Sequence, residues 1–344
     1  MNSDELFMLR AMELAMLGKG FVSPNPLVGC VIVHKDKIIG EGWHRKYGES
    51  HAEVNAINNV QDKSLLNQST VYVNLEPCSH FGRTPPCADL LISHDVKKVV
   101  VANHDSNPLV AGQGISRLQA AGIEVVTDVL SERGRALNRR FFTYIEKQRP
   151  YIILKWAQTA DGFISRSNYD SKWISNERSR QLVHQWRSEE DAVLVGTRTV
   201  QYDNPQLNVR DWNGPNPVRI VIDRFLKLDR SLNVFDQGQN TICYNTIRNE
   251  QYNNLQFVQL QERDFISQLV TDLYIRKIQS VIIEGGAETL KLLIQTGLWD
   301  EARVFQSAIL FESGIAAPES GGYPIERQEI GNDILQVYQN FNGY

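Results

Sequence analysis

Along the first part of the chain the apolar positions fall into short runs separated by turn residues, and the period of each run predicts its element. Leu6, Leu9, Ala11, Leu14 and Leu17 follow a helical stripe that Ser3 can cap and that Gly18 and Gly20 stop. Ser23-Pro24-Asn25-Pro26 is too rich in proline for a helix or a central strand. Val28 to Val33 is an apolar run of buried-strand character, Lys35-Asp36-Lys37 turns the chain, and Ile38 to Trp43 supplies the hairpin partner. Ala52 to Asn59 reads as a helix on Val54, Ala56 and Ile57, Gln61 to Ser69 as a loop, and Thr70 to Leu75 as a strand. A short helix starting at Cys87, a strand from Lys97 to Ala102, a helix from Ile115 to Ala121 and a strand from Glu124 to Thr127 follow. A helix, a hairpin, then alternating strands and helices predict an α/β sandwich with a mixed sheet.

Ser131 to Gln148 predicts one helix, with Leu137, Phe141, Tyr144 and Ile145 on one side. Its Arg133, Arg135, Arg139 and Arg140 fit a solvated or domain-packing face better than an RNA site. Arg149-Pro150 closes it, which sets a junction near 146–150. Beyond it come strands at Tyr151 to Ala157, Ala192 to Gly196, Val218 to Asp223, Asn240 to Tyr244, Ser280 to Glu284 and Glu301 to Gln306. A Ser175-capped helix to Ser188 and helices at Asp264 to Lys277 and Ala287 to Gln295 lie among them, as in a doubly wound sheet. No G-x-G-x-x-G stands at the first strand–helix turn, which disfavours a standard dinucleotide fold, and Gly112-x-Gly114 is too weak to replace it.

Length agrees with two domains, 1–146 and 147–344, because 344 residues exceed one ordinary core. A 42% hydrophobic and 22% charged composition is that of a globular protein. The net charge of −4, without a basic arm, argues against nucleic acid as a partner. Asp4, Glu5, Arg10 and Glu13 break any signal-peptide core, and no stretch has the apolar length of a membrane span, so a cytoplasmic protein without membrane contact is expected. The four cysteines, Cys30, Cys78, Cys87 and Cys243, then suggest metal or free thiols before disulfides.

Three of the residues that change the picture most are His51, Cys78 and Cys87. They can supply three ligands to a zinc ion with an open fourth position. Glu53, two residues after the histidine, is then free as acid and base, the division of labour of zinc nucleobase deaminases. A structural zinc would want a fourth protein ligand, for which His44 and His80 are the nearby candidates. The eight residues between Cys78 and Cys87 depart from the compact C-x-x-C of that class. Gly82, Pro85 and Pro86 let such a loop fold back, and Arg83 in it suits an anionic group such as phosphate. Cys30 lies inside a strand and reads as core. Asn25 reads as a turn residue holding its own backbone or, more sharply, as a substrate contact. In the second half, Glu284-Gly285-Gly286-Ala287 serves either a phosphate at backbone N–H groups or a tight strand–helix turn.

Together, Ser23-Pro24-Asn25-Pro26, Gly48 to Glu53 and the stretch from Glu76 to Cys87 resemble the N-terminal half of the bifunctional riboflavin-biosynthesis deaminase/reductases, which share the long Cys-to-Cys loop. The resemblance continues through Lys155-x-Ala157, Asp161-Gly162, Ser171-x-Trp173, Arg187, Val195 to Val200, Asp203-x-Pro205-x-Leu207-x-Val209-Arg210, Ile222-Asp223-Arg224 and Glu284-Gly285-Gly286. It covers nearly the whole chain, although the segment after Leu310, with Gly314, Pro318, Gly321, Gly322 and Pro324, departs from the usual tail. It implies a cytidine-deaminase-like α/β/α sandwich followed by a dihydrofolate-reductase-like α/β domain. It implies zinc-dependent deamination of a phosphoribosylated pyrimidine, then NADPH-dependent reduction of the ribosyl chain to ribityl, in a homodimer. Asn25, His44 and Arg83 would contact substrate in the first site, with Asn103, Asp105 and Asn107 beside it. In the second, NADPH would touch Ala157, Trp173, Thr199, Asp203, Gly286, Ala287, Glu288, Thr289, Leu290, Lys291 and Leu292. Substrate would touch Ser171, Arg187, Leu207, Arg210 and Glu284, and Lys155, Asp203 and Glu284 are candidates to donate or steer the proton. Two rival readings are a tRNA or nucleobase deaminase with an appended domain, and a zinc-stabilised binding protein without turnover.

Overall fold

A computed structural model describes residues 2–79, 85–107 and 111–341. The chain divides into two compact units, Met1–Gln148 and Arg149–Tyr344.

The first unit opens with helix α1 (Ser3–Met16). Its cap is Asn2 rather than Ser3: the Asn2 side chain accepts from Glu5 N–H while the Glu5 side chain returns a bond to Asn2 N–H. Strands β1 (Gly29–His34) and β2 (Lys37–Trp43) form the expected hairpin. Lys35 and Asp36 have φ of 47° and 60°, the left-handed pair that matches the twist of flanking strands. Helix α2 (Ala52–Asn59) leads to a 3-10 turn at Lys63–Gln68, where a loop was expected; Asp62 nucleates it by accepting from Ser64 N–H. Then come β3 (Thr70–Val73), α3 (Cys87–Ser93), β4 (Lys98–Val101), α4 (Gln113–Ala120) and β5 (Glu124–Val126). The sheet order is β2-β1-β3-β4-β5; β1 is antiparallel to both neighbours, and β3, β4 and β5 run parallel.

Alternation along the strands divides the core into two layers. Cys30, Ile32, Val71, Val73, Val99 and Val101 pack with Ala56 of α2, Leu91 of α3 and Leu118 of α4. Val31, Val33, Tyr72 and Val100 pack with Met8 and Ala11 of α1. This is the α/β/α sandwich. The single helix expected over 131–148 is instead two, α5 (Ser131–Leu137) and α6 (Arg139–Lys147). Asn138 breaks it because its carboxamide is committed elsewhere: it accepts from Leu27 N–H at 2.8 Å and donates to Leu27 O at 2.9 Å.

In the second unit β6 (Tyr151–Gln158) sits inside a ten-stranded sheet. The chain adds β7 (Phe163–Ser165), α7 (Glu177–Glu189), β8 (Ala192–Gly196), α8 (Thr197–Asp203), β9 (Val218–Ile222), β10 (Thr241–Asn245), β11 (Glu250–Tyr252) and β12 (Leu255–Gln259). After these follow α9 (Phe265–Ile275), β13 (Ser280–Ile283), α10 (Ala287–Thr296), β14 (Glu301–Gln306), β15 (Ile315–Ala316), β16 (Tyr323–Ile330) and β17 (Asp333–Gln339). The order is β11-β12-β10-β9-β8-β13-β6-β14-β17-β16, parallel from β12 to β14 and antiparallel outside. Ile152, Leu154 and Trp156 face Leu269 of α9 and Leu290 of α10, whereas Tyr151 and Ile153 face Val183 and Trp186 of α7. Both faces are covered, so the sheet is doubly wound.

Helix α7 is capped by Asn176, not Ser175; the Asn176 carboxamide accepts from Ser179 N–H at 3.0 Å. The divergent tail folds into the β16–β17 hairpin, and Leu335 and Val337 of β17 enter the core beside β14.

Candidate active sites

Three chain segments bring the zinc-ligand candidates together. His51 is the N-cap residue of α2, Cys78 lies beyond β3 after Glu76-Pro77, and Cys87 opens α3. His51 Nδ1 stands 3.6 Å from Cys78 Sγ and 3.3 Å from Cys87 Sγ, and all three atoms lie within 4.8 Å of one another. Tetrahedral zinc with ordinary Zn–N and Zn–S bonds places N and S about 3.6 Å apart. The donors therefore already stand at coordination distance, with Cys78 and Cys87 brought together across the eight residues between them. The Cys87 thiol and the Cys87 N–H hydrogen-bond Cys78 Sγ, the latter at 3.3 Å, and with His51 they pull the Cys78 thiol down to about 4. Cys87, sharing that proton and buried, is pushed up. Glu53, in the first turn of α2, is 3% exposed, and burial pushes its carboxyl up while the His51 charge opposes.

His44 and Asn25 extend this site. The His44 ring meets His51 edge-on at 5.6 Å. His44 Nδ1 lies 3.1 Å from Ser50 O, which can only accept, so Nδ1 carries the hydrogen and Nε2 is the acceptor. Burial lowers the His44 pKa, in keeping with that neutral ring. Asn25 Nδ2 then donates to Nε2 at 3.0 Å, and the Asn25 carbonyl oxygen is left to accept. The Asn25 side chain thus engages His44 rather than its own turn. Arg83 and His80 lie outside the described residues. The loop after β4 holds Asn103, Asp105 and Asn107; its Asn103 carbonyl accepts from Glu76 N–H, and Asp105 N–H donates to the Glu76 carboxylate. The sequence reading missed Glu76, whose signal is a carboxylate placed between a buried strand and Pro-Cys. Cys30 and Cys243 are buried, and none of the four cysteines is in a disulfide.

The second unit carries a cavity of about 990 Å³ at the carboxyl ends of β6, β8, β9 and β13. Ala157, Ser171, Trp173, Arg187, Thr199, Asp203, Leu207, Arg210 and Glu284 line it, as does the α10 start from Gly286 to Leu290. Lys291 and Leu292 do not: Lys291 is exposed on α10 and Leu292 packs on the core. No side chain caps α10, so its first N–H groups are open to a ligand. A Cβ on Gly286 would stand 3.1 Å from Thr199 Oγ1, so glycine keeps that approach narrow.

Arg187 grips Glu284, which like it is expected on substrate, Nε to Oε1 at 2.6 Å and a terminal nitrogen to Oε2 at 2.8 Å. Its remaining terminal nitrogen donates to Asn208 O at 3.1 Å. Lys155 Nζ lies 3.8 Å from Glu284. Burial alone would push the Glu284 carboxyl up; the charges of Arg187 and Lys155 outweigh it and hold it at about 2. Burial pushes Lys155 down and Asp203 up, and Ser171 Oγ donates to Asp203 at 3.1 Å. Arg210, 54% exposed at its side chain, has a loose pair with equally exposed Asp211 at 3.8 Å and a bond to Asn208 Oδ1 at 3.2 Å, and is the more accessible arginine of the two. His184 and the stacked pair Tyr169–Tyr202 also line the wall and carried no spacing by which a sequence could announce them.

Comparison with known proteins agrees on both halves. Residues 1–103 match the cytidine and deoxycytidylate deaminase zinc-binding region, and residues 150–320 match the RibD C-terminal domain. The riboflavin biosynthesis protein RibD of Aquifex aeolicus is 38% identical, over 98% of this chain and 99% of that protein. Its Escherichia coli counterpart is 36% identical, over 88% and 87%. The crystal structure of a diaminohydroxyphosphoribosylaminopyrimidine deaminase/5-amino-6-(5-phosphoribosylamino)uracil reductase from Thermotoga maritima superposes with a TM-score of 0.91 at 35% identity, covering 98% of this chain and 99% of that one. Acinetobacter baumannii RibD gives 0.89 at 33% identity, covering 98% of both. With both halves matched, in order and nearly end to end, the chain belongs to the RibD family, the bifunctional deaminase/reductase enzymes of riboflavin biosynthesis.

Proposed function

We propose that the first site deaminates 2,5-diamino-6-(5-phosphoribosylamino)pyrimidin-4(3H)-one and that the second reduces the ribosyl chain of the product to ribityl with NADPH. The observation that carries the first half is the convergence of His51, Cys78 and Cys87 beside buried Glu53. Their donor set and separations fit zinc, which when bound would supply Lewis acidity and bring the pKa of water toward neutrality. Glu53 takes the proton from the attacking water and returns it to the departing ammonia; its raised pKa suits both steps. Asn25, oriented by His44, offers its carbonyl oxygen to an amino group or ring N–H of the pyrimidine.

For the second half, the cavity volume lies at the upper end of the roughly 300–1,000 Å³ range of small-molecule sites. The open α10 N-terminus and Thr199 suit a cofactor phosphate, and Arg198, Arg224 and Lys227 of the same wall add positive charge. A nicotinamide there would supply hydride for C1′ of the ring-opened sugar imine. Glu284, held ionised by Arg187 and Lys155, suits steering a proton better than donating one. Lys155 and Asp203 remain, both shifted toward neutrality by burial, with Glu284 steering Lys155.

Mass spectrometry of the products made from the diaminopyrimidine tests both halves. Deaminated product without NADPH, and deaminated and reduced product with it, is expected. Deaminated product alone, even with NADPH, would remove the second half of the reading. Glu53→Ala should lower deamination by about 10²–10⁴-fold while reduction of deaminated substrate persists.

A further inference from the structure

Glu76 is a buried acid to which the proposed chemistry gives no role. Its side chain is fully buried, and its carboxylate accepts four backbone N–H groups. Oε1 takes Gly114 at 2.9 Å and Ile115 at 3.3 Å; Oε2 takes Gly112 at 3.0 Å and Asp105 at 3.2 Å. Three of these donors belong to the N-cap and first turn of α4, which has no capping side chain of its own. A carboxylate is a strong partner for such orphan groups, and burying it unpaired would be costly.

The Glu76-Pro77-Cys78 segment is tied a second time. A Cβ at Gly114 would stand 2.0 Å from Pro77 O, so α4 reaches Pro77 closely because residue 114 has no side chain. Glu76 N–H is also fixed, to Asn103 O at 2.9 Å. Glu76 and Pro77 are therefore held by side chain and backbone on one side, and the next residue is Cys78. On the other side, Ala88 N–H donates to Cys78 O at 3.1 Å.

We infer that Glu76 is a positioning residue for the metal centre: by clamping Glu76-Pro77-Cys78 onto the start of α4 it sets the place of the Cys78 thiolate relative to His51 and Cys87. This rests on the zinc reading of that triad. A ligand on a bare loop would have to be ordered when the metal binds, whereas a clamped one is already in place. Outer partners of this kind are worth roughly 10–100-fold in metal affinity.

The test compares full-length wild type with Glu76→Ala, Glu76→Gln, Gly114→Ala and Cys78→Ser. Zinc affinity is read by competition with a chromophoric chelator, and geometry from the thiolate-to-metal and d–d absorption of the cobalt-substituted protein. The first calorimetric transition of the full chain checks that the unit carrying Glu76 is folded, and reduction of already deaminated substrate with NADPH checks the second unit. Glu76→Ala should bind zinc roughly 10–100-fold more weakly, with altered cobalt bands and unchanged reduction. Glu76→Gln keeps one acceptor oxygen for the Gly114 and Ile115 N–H groups but turns an NH2 toward the Gly112 and Asp105 donors, so a smaller change in the same direction is expected. It carries the test if the alanine variant does not fold. Gly114→Ala should reproduce the defect by pushing on Pro77. Wild-type zinc affinity and cobalt bands in the Glu76 variants, with Cys78→Ser weakened, would overturn the positioning role alone. Unchanged affinity in Cys78→Ser would overturn the zinc reading itself.

Discussion

Glu284 shows how one residue keeps its charge in a site built largely from apolar walls. Its carboxylate has 8% side-chain exposure, and the Arg187 beside it 10%. Its pKa in the folded chain, about 2, lies below the ordinary 4.5. The stabilisation is therefore complete above that ordinary value and fades as pH falls toward 2. Arg187→Met, which removes the charge and keeps apolar bulk, should destabilise the protein by about 1–3 kcal/mol near pH 7, because it takes two charge-assisted hydrogen bonds from a buried carboxylate and leaves Lys155, at 3.8 Å, as its charged partner. The difference from wild type should shrink by about 1 kcal/mol by pH 3.5, where the weakened acid is protonated more readily than the wild-type one. Urea unfolding at both pH values measures this. An equal difference at the two pH values would assign the loss to packing instead. Because Arg187 has its fork on Glu284, Arg210→Ala should be the variant that raises the KM of reduction most, by loss of a charge-assisted contact to the substrate phosphate. Inhibition by inorganic phosphate, weakened in that variant, would identify the phosphate subsite; equal inhibition would exclude Arg210 from it.

At the scale of elements, the break between α5 and α6 ties a distant helix pair to the loop that carries Asn25. Asn138 satisfies both backbone groups of Leu27, and Asn74 donates to the same carbonyl at 2.9 Å. Asn138→Ala should cost about 1–2 kcal/mol, because the half-buried Leu27 N–H loses its acceptor. The loosened Leu27 should also raise the KM of deamination without touching reduction, which steady-state kinetics of the two steps will separate. That break was invisible in the sequence, since the apolar side of 131–148 keeps one helical period through it. What could be read was whatever burial dictates locally. The strands Ala192–Gly196 and Glu301–Gln306 were legible to the residue because they are wholly or almost wholly buried. The helix Ala52–Asn59 was legible because it begins at His51, where apolar spacing and the chemical motif coincide. Strand β16 was not, because it is an exposed edge and reads as polar loop. Helix α8 was not either, its first turn being rich in β-branched residues that favour strands. In the sites, the candidate zinc ligands stood out by residue type and order. Glu76 did not, because its partners are backbone N–H groups that no residue type announces.

Over the whole molecule, two units with separate cores imply two separable activities. The first unit has Cys30, Val71 and Val99 in one layer and Met8 and Val31 in the other; the second has its own pair of layers about β6. The candidate metal ligands all belong to the first unit, and every residue lining the 990 Å³ cavity belongs to the second. Zinc that binds the folded first unit and not its unfolded chain stabilises that unit by mass action, by about 4 kcal/mol when free zinc is 1,000 times its dissociation constant. Stripping the metal with a chelator should therefore abolish deamination and lower the melting temperature of the first unit. Reduction of supplied deaminated substrate should continue at its original rate, and the second transition should not move. Calorimetry of the full chain with and without chelator, paired with the two product assays, reads all four quantities in one preparation. Added zinc should restore deamination and the first transition together. Loss of reduction along with deamination, in protein whose second transition is unchanged, would mean that the two sites are energetically linked despite their separate cores.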